Sequence, residues 1–301
     1  MKILVTGAGG MIGRHVVQHL VDGGHEVHGL GRTVETPPYL SKKIRWHEAD
    51  LMEDGATKRL IKEIKPEGLL HLAWTTEHGK FWKAPENMDW AGLSLRLLRY
   101  FVYEGGRRAV AAGSCAEYDW TQLGDGICLE EGTPVGSPFL YGIAKNAVRQ
   151  CAQQFFKDTG GTASFAWGRV FFLFGEGENP RRLVPSVINS LLRGEVARVS
   201  SGTQIRDFMS SREAGRAFAQ LLVSNVEGVV NIASGQPTAL RSIIAALCRE
   251  IGGEADYGAI PGQKGEPPIL VADVTRLRDE VGFKPAESLQ DGLSNTVKLW
   301  R

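Results

Sequence analysis

The sequence predicts an α/β protein, with a doubly wound parallel sheet followed by a smaller C-terminal α/β unit. Three observations carry this. Short β-branched or apolar runs alternate with segments of helical period through the first 170 residues. A glycine-rich turn follows the first of those runs at once. After Phe171 the alternation loosens into shorter elements and longer connections. Strands alternating with helices build βαβ units, whose right-handed crossovers put helices on both faces of one sheet. At 43% hydrophobic and 23% charged residues, the 301-residue chain has a globular balance and enough length to bury most of its apolar surface.

The elements follow in order. "KILVT" is the first strand, and the helix after the glycines carries Ile12, Val16, Val17 and Leu20 at helical spacing. "HEVHGL" and "IRWHE" read as the second and third strands, "ATKRLIKEI" as an amphipathic helix and "GLLHLAW" as a buried strand. Residues 85–104 form a long helix, "RRAVAAGS" the next strand and residues 139–158 a second long helix. Beyond the Gly/Pro-marked loop "FGEGENPRR", a helix covers residues 183–193. "GQPTALRSIIAALCREIGG" is a helix with Thr238 as N-cap and a glycine pair as its stop, and "SLQDGLSNTVKLW" is the closing helix. This sets residues 1–170 as one unit, to which 205–235 is expected to return, and 171–301 as the other.

Composition excludes several roles. Lys+Arg number 35 against 34 for Asp+Glu, so no basic footprint for nucleic acid or a membrane surface is present. No apolar run approaches the roughly 20 residues that span a bilayer, and the N-terminus lacks the apolar region of a signal peptide. Cys115, Cys128, Cys151 and Cys248 show no CxxC spacing, which argues for a reducing compartment and against structural zinc. The expectation is a cytoplasmic protein without a metal.

"TGAGGMIG" sets Gly7, Gly10 and Gly13 three apart between a strand and a helix. The first permits the tight turn, the second lets backbone approach a pyrophosphate, and the third allows close helix–strand packing. The N–H groups at the helix start, around Met11 and Ile12, face an anion that the helix dipole favours. Nucleotide binding is the expectation.

Further motifs share this order. "AD" at Ala49–Asp50 follows the third strand, ahead of Leu51, and "HLAW" spans His71, Leu72, Ala73 and Trp74. "GSCAEYD" begins at Gly113, "YGIAK" at Tyr141, and "IRDF" contains Arg206. Together with the glycine loop they resemble the extended short-chain dehydrogenase/reductase family across some 200 residues. The resemblance implies a Rossmann domain and a substrate domain. It makes Asp50 a contact to the adenine amine and the Leu72–Ala73–Trp74 stretch a cofactor strand. His71, inside a buried strand, reads as a satisfied core histidine.

Tyr141 and Lys145 are four apart and emerge on one helix face. A lysine cation beside a phenol favours phenolate and lowers its pKa from about 10, making it a usable proton carrier for a carbonyl/alcohol pair. Ser114 would hydrogen-bond the same substrate oxygen. In the family's dehydratases an Asp-Glu pair follows this serine position, but here Cys115 and Ala116 stand there, so dehydration is not expected. The family's combined epimerase-reductase has a cysteine where Ala116 sits. Cys115 reads as a packed cysteine, and the direction of Glu117 is not legible.

On the substrate side, "GRVFFLFGEG" resembles the segment whose Asn contacts nucleotide-sugar phosphates, with Phe172 in the place of that Asn and Glu176 replacing a Pro. Leu183 opens a helix similar to the one that closes over the base, and Arg206 is expected to reach the diphosphate. Arg181, Arg182 and Arg193 are weaker candidates. Trp74, Trp82, Trp90 and Trp120 fall near the loops around the site, and Trp74 alone is taken as a contact. In the family, the two long helices pair into a four-helix dimer interface, which implies a homodimer.

Cofactor choice rests on "VHGLGRT". Where NAD users carry an acid at the end of the second strand, this chain has Gly31, then Arg32 and Thr33. Gly31 removes the charge, Arg32 can stack on adenine and pair a 2′-phosphate, and Thr33 adds a hydroxyl. The expectation is NADP(H) in preference to NAD(H). The function implied is an NADPH-dependent reductase of a nucleotide-linked keto-sugar, a 4-keto-6-deoxyhexose foremost. A nucleotide-sugar epimerase with tightly bound NAD(P) is the alternative, and a non-catalytic dinucleotide sensor a further one.

Overall fold

Seven parallel strands form the main sheet of the computed structural model, which describes residues 1–33, 40, 42–53, 55–262 and 265–301. In chain order the strands are β1 (Lys2–Thr6), β2 (Glu26–Gly31), β3 (Arg45–Glu48), β4 (Gly68–His71), β5 (Arg108–Ser114), β6 (Ile127–Cys128) and β7 (Ser164–Val170). They continue with β8 (Phe172–Phe174), β9 (Ala197–Val199), β10 (Ile205–Ser210), β11 (Gly228–Ile232), β12 (Pro237–Ala239), β13 (Ala255–Tyr257) and β14 (Ile269–Ala272). The helices are α1 (Gly13–Asp22), α2 (Ala56–Ile64), α3 (Glu86–Tyr103), α4 (Leu140–Asp158), α5 (Leu183–Leu192), α6 (Ser211–Val223), α7 (Leu240–Ile251) and α8 (Leu289–Trp300).

The main sheet runs β11-β7-β5-β4-β1-β2-β3. Its strands are short and nearly all apolar because both faces are covered. Ile3, Val5, Leu70 and Val110 face a layer holding α1 and α6, while Leu4, Leu69, Ala109 and Ala111 face α2, α3 and α4. On α1, Val16, Val17 and Leu20 are fully buried, each contributing roughly 1.5–3 kcal/mol. The chain steps outward in opposite directions from β1, and that switch point opens a crevice at the carboxyl ends of β1 and β4.

A second sheet, β12-β10-β14-β6 with β8 on β10, and the β9–β13 pair belong to the other unit, whose core packs α5, α7 and α8. Of the stretch expected to return, α6 and β11 lie with the main sheet, whereas β10 joins the second. β6 also joins the second sheet, although it falls early in the chain.

One cap differs from expectation. Thr238 is a strand residue of β12, opposite Arg206 of β10, and α7 starts after Ala239 without a side-chain cap. The strand runs directly into the helix, so Thr238 is spent on the ladder. The stop at the Gly252–Gly253 pair is as read, both with φ above +85°. The closing helix α8 carries a capping box between Ser288 and Asp291. No described helix is long and apolar enough to cross a membrane.

Candidate active site

The glycine loop closes against the end of β4. Gly7 has φ +70°, and a Cβ there would lie 2.9 Å from Ala73 N, so the turn and the Leu72–Ala73–Trp74 segment are pressed together. Ala73 N–H donates to Thr6 Oγ1 at 3.3 Å and Leu72 N–H to Thr6 O at 3.2 Å. A Cβ on Gly13 would come within 2.1 Å of Gly7 O, which admits only glycine at the start of α1. A Cβ on Gly9, by contrast, would meet nothing within 4 Å, so this side of the turn is open, with Gly10 exposed and Met11 and Ile12 half-buried beside it. This cradle fits the pyrophosphate of a dinucleotide.

At the far edge, Gly31 ends β2 and its carbonyl accepts from Ala49 N at 3.1 Å. Arg32 and Thr33 are exposed there, as is Asp50, whose Oδ1 accepts from Met52 N, while Leu51 is buried. Glu48 of β3 lies in register beside Gly31.

Ser114, Tyr141 and Lys145 do come together. Ser114 ends β5, its N–H donating to Glu117 Oε1 at 2.8 Å and its Oγ accepting from Ala116 N. Tyr141 and Lys145 sit in the first turns of α4, 8% and 4% exposed. The expected effect of the lysine on the phenol is absent. Lys145 Nζ donates to Ala112 O at 2.7 Å, lies 3.9 Å from the Trp74 ring centroid and stays 6.0 Å from that of Tyr141. Burial pushes the Tyr141 phenol above its ordinary range, and the hydrogen bond with Ser114 offsets only part of this. Burial likewise pushes Lys145 down to about 7.

Glu117, illegible in the sequence, is fully buried and committed. Its carboxylate accepts from Arg169 Nε at 2.9 Å and from Trp167 Nε1 at 2.9 and 3.1 Å. Cys115 is buried, its thiol pushed up by burial. His71 is satisfied on both sides by Thr6 Oγ1 (2.7 Å) and Ser94 Oγ (2.8 Å). Trp74 donates to Asn87 Oδ1 and stacks on Trp90.

The structure places Arg206 differently from expectation. It is 3% exposed and donates to Glu266 Oε2 at 3.1 Å and to Ile205 O at 2.9 Å, with its guanidinium over the Phe172 ring. A buried, paired arginine is not a free fork for a diphosphate. Asp207 is taken up separately by Ser234, Gly235 and Ala272. Half-buried Leu183 opens α5, directly after Arg182. Arg182, one of the weaker candidates, precedes α5, and its charge acts to lower the pKa values of Tyr141, Glu178 and His78. Sequence reading also missed Glu178. It is 7% exposed, its Oε2 has no partner among the described residues, and burial pushes it up to about 8.

A glycine cradle thus lies at the switch point, with Ser114 of β5 and Tyr141 and Lys145 of α4 beside it. A model of the NAD dependent epimerase/dehydratase family matches residues 3–233. The chain belongs to that family. Among its similar proteins, dTDP-6-deoxy-L-talose 4-dehydrogenase (NAD(+)) of Aggregatibacter actinomycetemcomitans is 26% identical over 255 residues, 83% of this chain and 90% of that one. UDP-glucose 4-epimerase of Lactobacillus helveticus is 22% identical over 334 residues, covering 100% and 97% of the two chains. MoeE5 in complex with UDP-glucose and NAD matches at 26% identity and a TM-score of 0.83, covering 99% and 98%. UDP-glucose 4-epimerase from Thermotoga maritima, solved with UDP-glucose, matches at 23% and 0.86 over 100% and 98%, a likeness of fold.

Proposed function

We propose that this family member is an NADPH-dependent reductase of a nucleotide-linked keto-sugar, a 4-keto-6-deoxyhexose foremost. The observation that supports the reading is that Ser114, Tyr141 and Lys145 meet beside the glycine cradle while the neighbouring carboxylate is engaged elsewhere. Glu117, the carboxylate next to it in the fold, is locked onto Arg169 and Trp167, and no acid stands at Cys115 or Ala116. Such a site suits hydride exchange at one C–O carbon, and the carboxylates that dehydration would use after Ser114 are not there.

Bound NADPH supplies the hydride. Tyr141, neutral because it is buried, donates its proton to the oxygen of the carbonyl whose carbon takes the hydride, and the Ser114 hydroxyl orients that oxygen. Lys145, fixed by Ala112 O and Trp74, sets the floor on which a nicotinamide ribose would rest. Arg182, whose charge acts on Tyr141, is our candidate for the substrate diphosphate, together with Phe172 and Leu183. The exposed Arg32 beyond Gly31 supports NADP, and a nucleotide 6-deoxysugar dehydrogenase among the relatives supports the substrate class. Exposed Met88, Tyr103 and Ile143 on α3 and α4 support a homodimer through those helices.

The test is NADPH consumption with a panel of nucleotide-4-keto-6-deoxysugars. Turnover of one or more is expected, and no oxidation with any would overturn the reading. Glu48 beside Gly31 favours a second reading, an NAD-holding epimerase, since an acid at this edge would accept from a ribose 2′-OH. Purified protein carrying tightly bound NAD, with interconversion of sugars and no net cofactor use, would select it.

A further inference from the structure

Three segments distant in sequence bring aromatic rings around Tyr141. Phe81 and Trp82, from the connection between β4 and α3, meet its ring edge-on at centroid distances of 4.9 and 6.0 Å. Trp120, after β5, stands edge-on to Trp82 at 5.9 Å, and Phe139, before α4, tilts against Trp82 at 5.1 Å. Backbone ties hold this wall to the catalytic helix. Tyr141 N–H donates to Trp82 O at 3.2 Å, and Asn87 Nδ2 donates to the carbonyls of Phe81 and Ala84 at 2.7 and 2.8 Å. Trp82 and Trp120 are only half-buried, so part of each ring still faces outward.

The oxygen that Tyr141 protonates must lie against the phenol and Ser114, so the carbons flanking the reacting one meet these rings. For a pyranose reacting at C4, one of those neighbours is C5 with its C6 substituent. The wall offers π faces and C–H edges. The Trp120 indole N–H is spent on Cys115 O at 3.2 Å, which leaves that of Trp82, a donor with no acceptor capacity. A hydroxymethyl group brings a proton of its own that the side chains of Phe81, Trp82, Trp120 and Ala116 cannot accept. A methyl group needs no partner and gains from the contact.

We infer that Phe81, Trp82 and Trp120 are specificity residues that select a sugar with a methyl rather than a hydroxymethyl group on C5. The inference rests on the proposed role of Tyr141 at C4 of a nucleotide sugar. An apolar wall rejects an added hydroxyl by about 100-fold.

The experiment compares two nucleotide sugars with the same base and C4 configuration, one 6-deoxy and one with its 6-hydroxyl, oxidised with NADP+. Wild type should favour the 6-deoxy sugar by about 100-fold in kcat/KM. Trp82→Gln and Trp120→Gln each put an acceptor in the wall and should narrow that ratio about tenfold, by lifting the hydroxylated sugar. Equal use of both sugars by wild type, or an equal loss on both in the variants, overturns the inference. Tryptophan fluorescence titrations with the same sugars read the wall without turnover. Tighter binding of the 6-deoxy sugar by a protein that oxidises neither would keep the wall and remove the reductase reading, whereas equal affinities would overturn the wall itself.

Discussion

Glu178→Gln isolates a cost the fold carries near its site. Glu178 lies in the loop that leaves β8, its N–H donating to Gly175 O at 3.2 Å, and its carboxyl Oε2 has no partner among the described residues. Burial raises its pKa from 4.5 to about 8, so at neutral pH the folded acid is protonated while the unfolded one is charged. A raised carboxyl contributes fully below its unfolded pKa and loses that contribution as pH rises through the folded value. At pH 7, about 2.5 units above the unfolded pKa, the loss is about 3 kcal/mol at ~1.36 kcal/mol per unit. Glutamine keeps the shape and is neutral at every pH, so it escapes this loss. Urea unfolding of both proteins near pH 5, 7 and 8 should show a gap that is small in acid and widens to about 3 kcal/mol in favour of the variant at pH 7. A gap that does not change with pH would refute the reasoning, as would a variant less stable throughout.

Three further outcomes are expected. Arg32→Ala should raise the Michaelis constant for NADPH by about 10–100-fold and that for NADH far less, because a charge-assisted phosphate contact is lost; equal effects on both cofactors would count against the NADP reading. Lys145→Met should abolish most turnover yet raise stability at pH 7 by ~1–3 kcal/mol in thermal melts. The buried lysine, held near 7 against 10.5 unfolded, costs the fold most at and below neutral pH and nothing once both states are deprotonated. Glu117→Ala should cost about 3–5 kcal/mol of unfolding free energy, since it strands the buried Arg169; a loss under 1 kcal/mol would show that pair to be dispensable.

What was legible in the sequence was local. Gly7, Gly10 and Gly13 sit within one turn, and Tyr141 and Lys145 within one helical turn, so chain geometry alone places them. The alternation of strands and helices likewise fixes a parallel sheet through handedness and burial of both faces. Identity beyond a family needs contacts between residues far apart. Arg206 looked like a free phosphate fork until Glu266, 60 residues on, was seen to take it. Glu117 could have been an acid/base group until Arg169 and Trp167 closed around it from β7. Lys145 looked like a neighbour that lowers the Tyr141 pKa, but its ammonium is turned to Ala112 O, and desolvation sets the phenol once both are enclosed. By itself the sequence determined the sheet, the glycine cradle and the placing of Tyr141 and Lys145 on one helix face. Only the tertiary structure decided which charges are free, which acids hold protons and which rings wall the site, because burial and pairing are set by whatever the fold brings alongside.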